Sequence, residues 1–187
     1  MKKTIIYTFG ILALGLLSFV NHAGGIYKTN TGNISFFSHT VVEDISAVNH
    51  KVKTAFDAGS GKIQFSVLVK DFEFPKALMQ EHFNENYMES TKFPKSTFSG
   101  VIENVKGINF EKDGTYTSPV SGSLKIKETT KKVSTIGTFV VTKGVVNAKA
   151  TFNVNPVDYG IKIPKGTTEK ISDAIKVSID ADYKHAH

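Results

Sequence analysis

Two segments near the C-terminal end of the chain alternate between apolar and polar residues with a period of two. The alternation runs through Val146–Val154 and again through Ile175–Tyr183. Because successive side chains of a β-strand point to opposite faces of a sheet, each segment predicts a strand with one dry face and one wet face. Such half-buried strands are typical of antiparallel sheets, whose second face can meet water. This pattern constrains the chain toward an all-β fold.

The same alternation, in shorter or less regular form, recurs along most of the chain. The predicted strands are Asn33–Ser38, Ile45–Asp57, Lys62–Lys70, Ser96–Lys106, Val120–Lys127, Val133–Thr142, Val146–Val154 and Ile175–Tyr183. Gly100 predicts a bulge in the fourth strand, and Lys143-Gly144 leaves a hairpin-length gap between the sixth and seventh. About eight antiparallel strands suit a small closed barrel, but an open sandwich has similar periodicity. The pattern alone leaves both architectures open.

One segment, residues 72–100, breaks the alternation and predicts a single inserted α-helix. Its apolar residues recur at four-residue spacing and form one stripe: Met79, Phe83 and Tyr87. Pro75 suits a helix start, whereas Pro94 disfavours helix at the residue before it. The helix is therefore predicted over Pro75–Ser90, between two strands of one sheet, with its apolar stripe packed on that sheet.

Residues 1–23 have the composition of a secretory signal peptide. Two lysines precede an apolar run that reaches Val20, and a small residue, Ala23, ends the segment. The run is short for a membrane anchor, and no stop-transfer pattern follows it. We therefore expect export, cleavage near Ala23, and one folded domain over residues 24–187, which is long enough to bury a core of its own.

Charge and cysteine content exclude several classes of site. The sequence has a formal net charge of +6, which falls to +4 when Lys2 and Lys3 are removed, and its basic residues are scattered. No basic stripe with interleaved aromatic residues is present, so nucleic-acid binding is not expected. The chain contains no cysteine, which excludes disulfides, thiolate metal sites and a lipid-modified cysteine. Packing alone must therefore stabilise the fold.

Several segments occur in a characteristic order: ISFFSHTVVEDISA, GKIQFSVLVKDFEF, ALMQEHFNENYMES leading into KFPKSTFSG, and GSLKIKETTKKV. In this order they resemble the YceI-like family of exported bacterial proteins, over roughly the whole mature chain. The resemblance implies an elongated lipocalin-like antiparallel barrel with a helix near its mouth. Characterised members enclose a long isoprenoid chain, in some cases as part of a quinone. The resemblance therefore implies a periplasmic protein that binds a slender amphiphile.

The resemblance is stronger in some segments than in others. Lys92-Phe93-Pro94 matches the family's aromatic-proline step into a strand, and Gly122-Ser123-Leu124 matches its glycine-leucine strand. Two segments depart from the family. Many members carry an Asp and a His-Ser pair where this chain has Phe37-Ser38-His39-Thr40, and an Arg near the segment that here reads Val157-Asp158-Tyr159-Gly160. Head-group contacts made by those family residues therefore do not transfer to this chain.

Six residues are the candidates for contacting the apolar chain of a ligand. The strands contribute Phe36, Phe65, Phe98 and Phe152, and the helix contributes Met79 and Phe83 as part of a lid. A tunnel lined by such side chains would bury the ligand's methylene groups, at about 0.8 kcal/mol each before ordering costs. Alternation identifies an inward face but not an empty interior, so the same residues could equally fill a core. The family resemblance favours binding.

Catalytic and metal sites are not expected. Ser38-His39 is the one neighbouring nucleophile and base, but adjacent strand residues point to opposite faces and do not readily share a proton. No nucleophile elbow, P-loop or dinucleotide fingerprint is present. His82 and Glu85 share a helical face, yet no further ligand is apparent, and His185 and His187 fall in a terminus expected to fray. We expect neither an enzyme nor a metalloprotein.

Two functions fit the sequence. The first is a periplasmic carrier for a polyisoprenoid, an isoprenoid quinone or a similar long-chain amphiphile held in an apolar barrel tunnel. The second is an exported, stress-related structural protein whose barrel is sealed and has no ligand. We expect no cofactor apart from a bound isoprenoid or fatty-acyl lipid, and no nucleic-acid partner. Transient contact with a membrane surface and a homodimer are left open.

Overall fold

The computed structural model describes residues 24–186, which form a closed antiparallel barrel. Its strands are β1 (Ile26–His39), β2 (Asp44–Asp57), β3 (Lys62–Leu68), β4 (Lys95–Ile102), β5 (Gly114–Ile126), β6 (Thr129–Thr142), β7 (Val145–Val154) and β8 (Ile175–His185). Each strand pairs with the next, and β8 pairs with β1 to close the barrel. The prediction of about eight antiparallel strands in a barrel with one inserted helix is confirmed. The predicted signal peptide lies outside the described residues.

Several strand ends differ from the prediction. β3 and β4 end early, at Leu68 and Ile102 rather than at Lys70 and Lys106. β1, β5, β6 and β8 are longer than predicted because long-range pairing extends them. β1 begins at Ile26 rather than Asn33, since Ile26 pairs with Asp57 and Tyr27 pairs with His185. The ring of His185 stands edge-on to Tyr27 at 5.3 Å between ring centres. The expectation that His185 lies in a frayed terminus is therefore wrong, whereas His187 lies outside the described residues.

Gly100 does not form the predicted bulge. The β3–β4 and β4–β5 ladders continue through it without a shift of register, and Gly100 lies opposite Gly122 on β5. A Cβ atom on either glycine would stand 2.6 Å from Cζ of Phe98, because that ring lies flat over the glycine pair. Glycine is needed here for close packing of an aromatic ring against the wall, which is a different reason from a bulge.

The inserted helix is shorter than predicted and changes its winding halfway. It begins as α1 (Ala77–His82) and continues as a π-helical turn over Phe83–Tyr87, where the Met88 N–H donates to the Phe83 carbonyl at 2.9 Å. We call the whole of Ala77–Tyr87 the mouth helix. No helix within residues 24–186 has both the length and the apolar character that crossing a bilayer requires.

One end of the barrel, which we call the sealed end, is filled by aromatic side chains from four strands and from the β4–β5 connection, which contributes Phe110. The strand residues are Tyr27, Phe56, Phe139 and Tyr183. Phe56 and Phe139 are 1% exposed and Tyr183 is 0% exposed. The Tyr183 hydroxyl shares a 2.8 Å hydrogen bond with the Thr54 hydroxyl. Burial raises the pKa of Tyr183 well above its usual value. The sealed end is therefore a dry core whose one deep hydroxyl pair is satisfied internally.

Two ladders of the barrel wall are short, and both are formed near the sealed end. β2 and β3 pair only from Lys53–Ser66 to Phe56–Ile63, and β6 and β7 only from Thr138–Lys149 to Thr142–Val145. Nearer the other end, which we call the mouth, other groups complete the wall. Val48 exchanges two backbone hydrogen bonds with Glu73, and the Thr135 hydroxyl donates to the Thr151 carbonyl at 2.7 Å.

Candidate functional site

A cavity of about 410 Å³ lies between the sealed end and the mouth helix. Its wall is formed mainly by the inward-facing side chains of the strands. Aliphatic residues of β5 to β8 dominate one side: Leu124, Ile126, Val133, Ala150, Val177 and Ile179. Ligand pockets in proteins typically have volumes of about 300–1,000 Å³ and mostly apolar walls. The barrel interior therefore has the size and chemistry of a site for one small apolar group.

All six residues singled out from the sequence line this one cavity: Phe36, Phe65, Met79, Phe83, Phe98 and Phe152. The alternation pattern thus identified inward-facing positions correctly. The helical stripe also faces inward, since Tyr87 joins Met79 and Phe83 on the cavity wall. That these residues hold a ligand stays a prediction.

Four phenylalanine rings fix the mouth helix to one side of the barrel: Phe36, Phe72, Phe74 and Phe83. The ring centre of Phe83 lies 5.5 Å from that of Phe36 and 5.0 Å from that of Phe74. Each such pair contributes about 0.5–1.5 kcal/mol beyond the area it buries. The helix therefore has an aromatic anchor on the β1 side of the barrel.

Lys127, in the turn between β5 and β6, holds the end of the mouth helix. Its ammonium donates to the Tyr87 carbonyl at 3.2 Å and to the Glu89 carboxylate, and lies 5.3 Å from the centre of the Phe93 ring. The Lys127 side chain is only 10% exposed. The hydrogen bond from Lys127 lowers the pKa of Glu89. The helix thus has an aromatic anchor along its length and an ionic anchor just beyond its end.

The connection from β7 to β8, residues 155–174, closes another part of the cavity, a contribution that the sequence did not predict. Pro156, Ile161 and Ile171 line the cavity. Thr167 joins this connection to the mouth helix by accepting a 3.3 Å hydrogen bond from the Tyr87 hydroxyl. The segment contains only two short 3-10 turns, Pro156–Tyr159 and Thr168–Lys170, so its apolar residues follow no period that a pattern search could detect.

Charged groups occur at the rim of the cavity. The Glu43 carboxylate lies 3.6 Å from the Lys76 ammonium and 3.9 Å from the Lys170 ammonium. Glu43, Lys170 and His82 all line the cavity. Because Lys76 precedes the mouth helix and Lys170 belongs to the β7–β8 connection, the carboxylate joins the loops that surround the mouth. The rim can therefore meet a polar head group while the interior holds an apolar chain.

Ser38 and His39 do not form a nucleophile and base. The Ser38 hydroxyl is buried and accepts a 2.9 Å hydrogen bond from the Ser172 N–H. His39 lies on the outer surface, where its Nδ1 is 2.6 Å from the Asp44 carboxylate. Within residues 24–186, no three His, Asp or Glu side chains are grouped so that they could hold a metal ion.

The fold and the cavity define the class of small eight-stranded barrels that can enclose one slender ligand. Within that class, the chain belongs to the YceI-like family, because the model of the YceI-like domain matches residues 16–183. No curated protein sequence matches the chain significantly.

Solved structures of similar fold share little sequence with this chain. A polyisoprenoid-binding domain from Saccharophagus degradans has a TM-score of 0.75 at 10% identity and covers 87% of this chain and 99% of its own. BcnA from Burkholderia cenocepacia has a TM-score of 0.68 at 14% identity, covering 81% and 95%. A Campylobacter jejuni YceI protein has a TM-score of 0.55 at 17% identity, covering both chains fully. At these identities the likeness concerns the fold.

Proposed function

We propose that this protein is a periplasmic carrier that holds the apolar chain of one isoprenoid or similar amphiphile inside its barrel. The observation that carries the proposal is the cavity of about 410 Å³ with an almost wholly apolar wall beneath the mouth helix. Membership of the YceI-like family and the fold shared with a polyisoprenoid-binding domain support it. This arrangement of side chains favours a binding role over a catalytic one.

The binding energy would come mainly from the ligand's chain. Each methylene transferred from water to the cavity contributes about 0.8 kcal/mol, less the cost of ordering the chain. The head group would remain at the rim, near Glu43, His82 and Lys170. Since these side chains include donors and an acceptor, the rim suits a head group that can both donate and accept hydrogen bonds.

The alternative of a sealed barrel without a ligand accounts for one end of the molecule only. At the sealed end, aromatic rings from opposing strands fill the interior. At the mouth, the inward positions surround open volume. A protein whose barrel served only as a stable scaffold would have no need to leave that volume unfilled, since cavities reduce stability.

The periplasmic location rests on the signal-like pattern of residues 1–23 and on the family's exported character. Fractionation of cells and N-terminal sequencing of the mature protein test it, with cleavage expected near Ala23. Contact with a membrane surface and formation of a homodimer, which the sequence left open, are tested by sedimentation with vesicles and by analytical ultracentrifugation.

Mass spectrometry of an organic extract from the natively purified protein tests the carrier function. We expect one isoprenoid or fatty-acyl species at close to one molecule per chain. The variant Phe83→Glu should lose it, because a carboxylate would enter the apolar wall, whereas Ile136→Glu on the outer surface, where Ile136 is 58% exposed, should retain it. A lipid-free extract combined with no uptake of added lipids would contradict the proposal.

A further inference from the structure

The cavity ends at a floor formed by residues that belong both to its wall and to the packed core of the sealed end. These residues are Ile63, Val120, Phe139, Ala148 and Tyr183. All five are buried, at 9% exposure or less. A chain that enters from the mouth therefore meets packed side chains at this depth of the barrel.

The floor is held in place from below. The ring of Tyr183 stands 5.0 Å from that of Phe56, and its hydroxyl is bonded to Thr54. The ring of Phe139 lies 6.4 Å from that of Phe56. Ala148 pairs with Phe139 in the β6–β7 ladder, in the region where that ladder is complete. Displacing the floor would break a buried hydrogen bond and separate packed rings, so the depth of the cavity is fixed.

The volume above the floor limits the size of the ligand's chain. A dry apolar cavity of about 150 Å³ accommodates one benzene molecule. The present cavity, at about 410 Å³, is nearly three times as large and therefore accommodates roughly 16 non-hydrogen atoms. That volume encloses one chain of this size, and the remainder of a much longer chain would have to extend through the mouth.

We propose that the cavity limits the length of the ligand chain that it can enclose. It selects a single chain of about 16 carbon atoms, such as a palmitoyl-length or farnesyl-length chain. Phe139 and Ala148 at the floor are the residues that set the limit. This inference rests on the proposed carrier function and specifies its ligand class. Side-chain volume at the floor should then determine which chain binds best.

Binding of a series of chains to the delipidated protein tests this inference. Saturated fatty acids and prenyl alcohols of increasing length are titrated below their solubility limits by displacement of a fluorescent fatty acid. Affinity should rise roughly fourfold for each added methylene and level off or fall beyond about 16 carbons. The variant Ala148→Leu fills the floor and should move the optimum to chains about three carbons shorter. Phe139→Leu and Val120→Ala enlarge the floor and should move it to longer chains.

Val101→Leu is the matched control, because Val101 is 41% exposed on the wall of β4 and outside the cavity. It should leave the optimum unchanged. Affinity that keeps rising well beyond about 20 carbons, or an optimum that no floor variant moves, would overturn the length limit while leaving the carrier function intact. Failure to bind chains of any length would instead overturn the carrier function itself.

Discussion

The sealed end and the mouth of the barrel are both rich in aromatic residues, but the interior is filled at the sealed end and contains a cavity at the mouth. At the sealed end, rings from several strands meet across the interior, and Tyr27 stacks on Phe56 at 5.0 Å with the planes 3° apart. At the mouth, the rings of Phe36 and Phe83 meet on one side of the barrel. An aromatic-rich interior is therefore filled or left open according to whether opposing walls both carry large side chains.

The backbone follows the same division. The short β2–β3 and β6–β7 ladders both belong to the sealed end. Nearer the mouth, those two parts of the wall are completed by the Val48–Glu73 bridge and by the hydroxyl of Thr135. At these two parts of the wall, backbone pairing and dense packing occur together at the sealed end, and we expect local opening to be easier near the mouth.

The largest expected difference between the two ends is in packing energy. Phe56→Ala should lower the free energy of unfolding by about 3–5 kcal/mol, because Phe56 is 1% exposed and packs on four other rings. Phe36→Ala should cost about 1–2 kcal/mol, because its ring is half-buried and borders existing space. Urea denaturation of both ligand-free variants measures this. Equal losses would mean that the mouth is packed as tightly as the sealed end.

A smaller difference is expected for hydrogen-bonded hydroxyl groups at the two ends. Thr54→Val leaves the buried Tyr183 hydroxyl without its partner and should cost about 1–3 kcal/mol. Thr135→Val removes a hydroxyl that bridges the wall near the mouth, where water can replace it, and should cost about 0.5–1 kcal/mol. Thermal unfolding compares the two variants. The double variant Thr54→Val/Tyr183→Phe should recover part of the stability lost in Thr54→Val, because it leaves no unpaired buried hydroxyl. If it recovers none, the loss in Thr54→Val comes from altered packing.

Local alternation was sufficient to predict the inward faces of the strands. Phe65 and Phe98, for example, were placed inward from their own segments, and they prove to be cross-strand partners with ring centres 6.1 Å apart. Closure of the barrel was not predictable in this way. It depends on the pairing of β1 with β8, which are far apart in sequence and show the same alternation in a barrel and in a sandwich.

The candidate site was predictable in part for the same reason. An inward position follows from a period of two, but an empty interior depends on the summed volumes of side chains from all strands. The contribution of Ile161 and Ile171 could not be predicted, because they line the cavity from an irregular connection. The anchoring of the helix by Lys127 could not be predicted either, because Lys127 in the β5–β6 turn and Tyr87 at the helix end are not related by any local sequence pattern.

The smallest expected effect concerns the ionic anchor of the mouth helix. The hydrogen bond from Lys127 lowers the pKa of Glu89 below its ordinary value of 4.5, so folding favours the charged carboxylate. The stabilisation is therefore fully present above the unfolded pKa and is lost as the pH falls through the lowered folded pKa. Glu89→Gln should lower the melting temperature slightly and by a constant amount from neutral pH down to about pH 5, with the difference from the wild type shrinking at lower pH.

Glu85→Gln is the control for this comparison, because Glu85 lies exposed on the same helix. It should leave both the melting temperature and the release rate of a bound fluorescent fatty acid nearly unchanged, whereas Glu89→Gln should speed release at neutral pH. If the two variants behave alike at every pH, the ion pair between Glu89 and Lys127 does not restrain the helix. The aromatic anchor formed by Phe36, Phe72, Phe74 and Phe83, together with the hydrogen bonds of Tyr87 to Lys127 and Thr167, would then hold the helix without a contribution from the carboxylate.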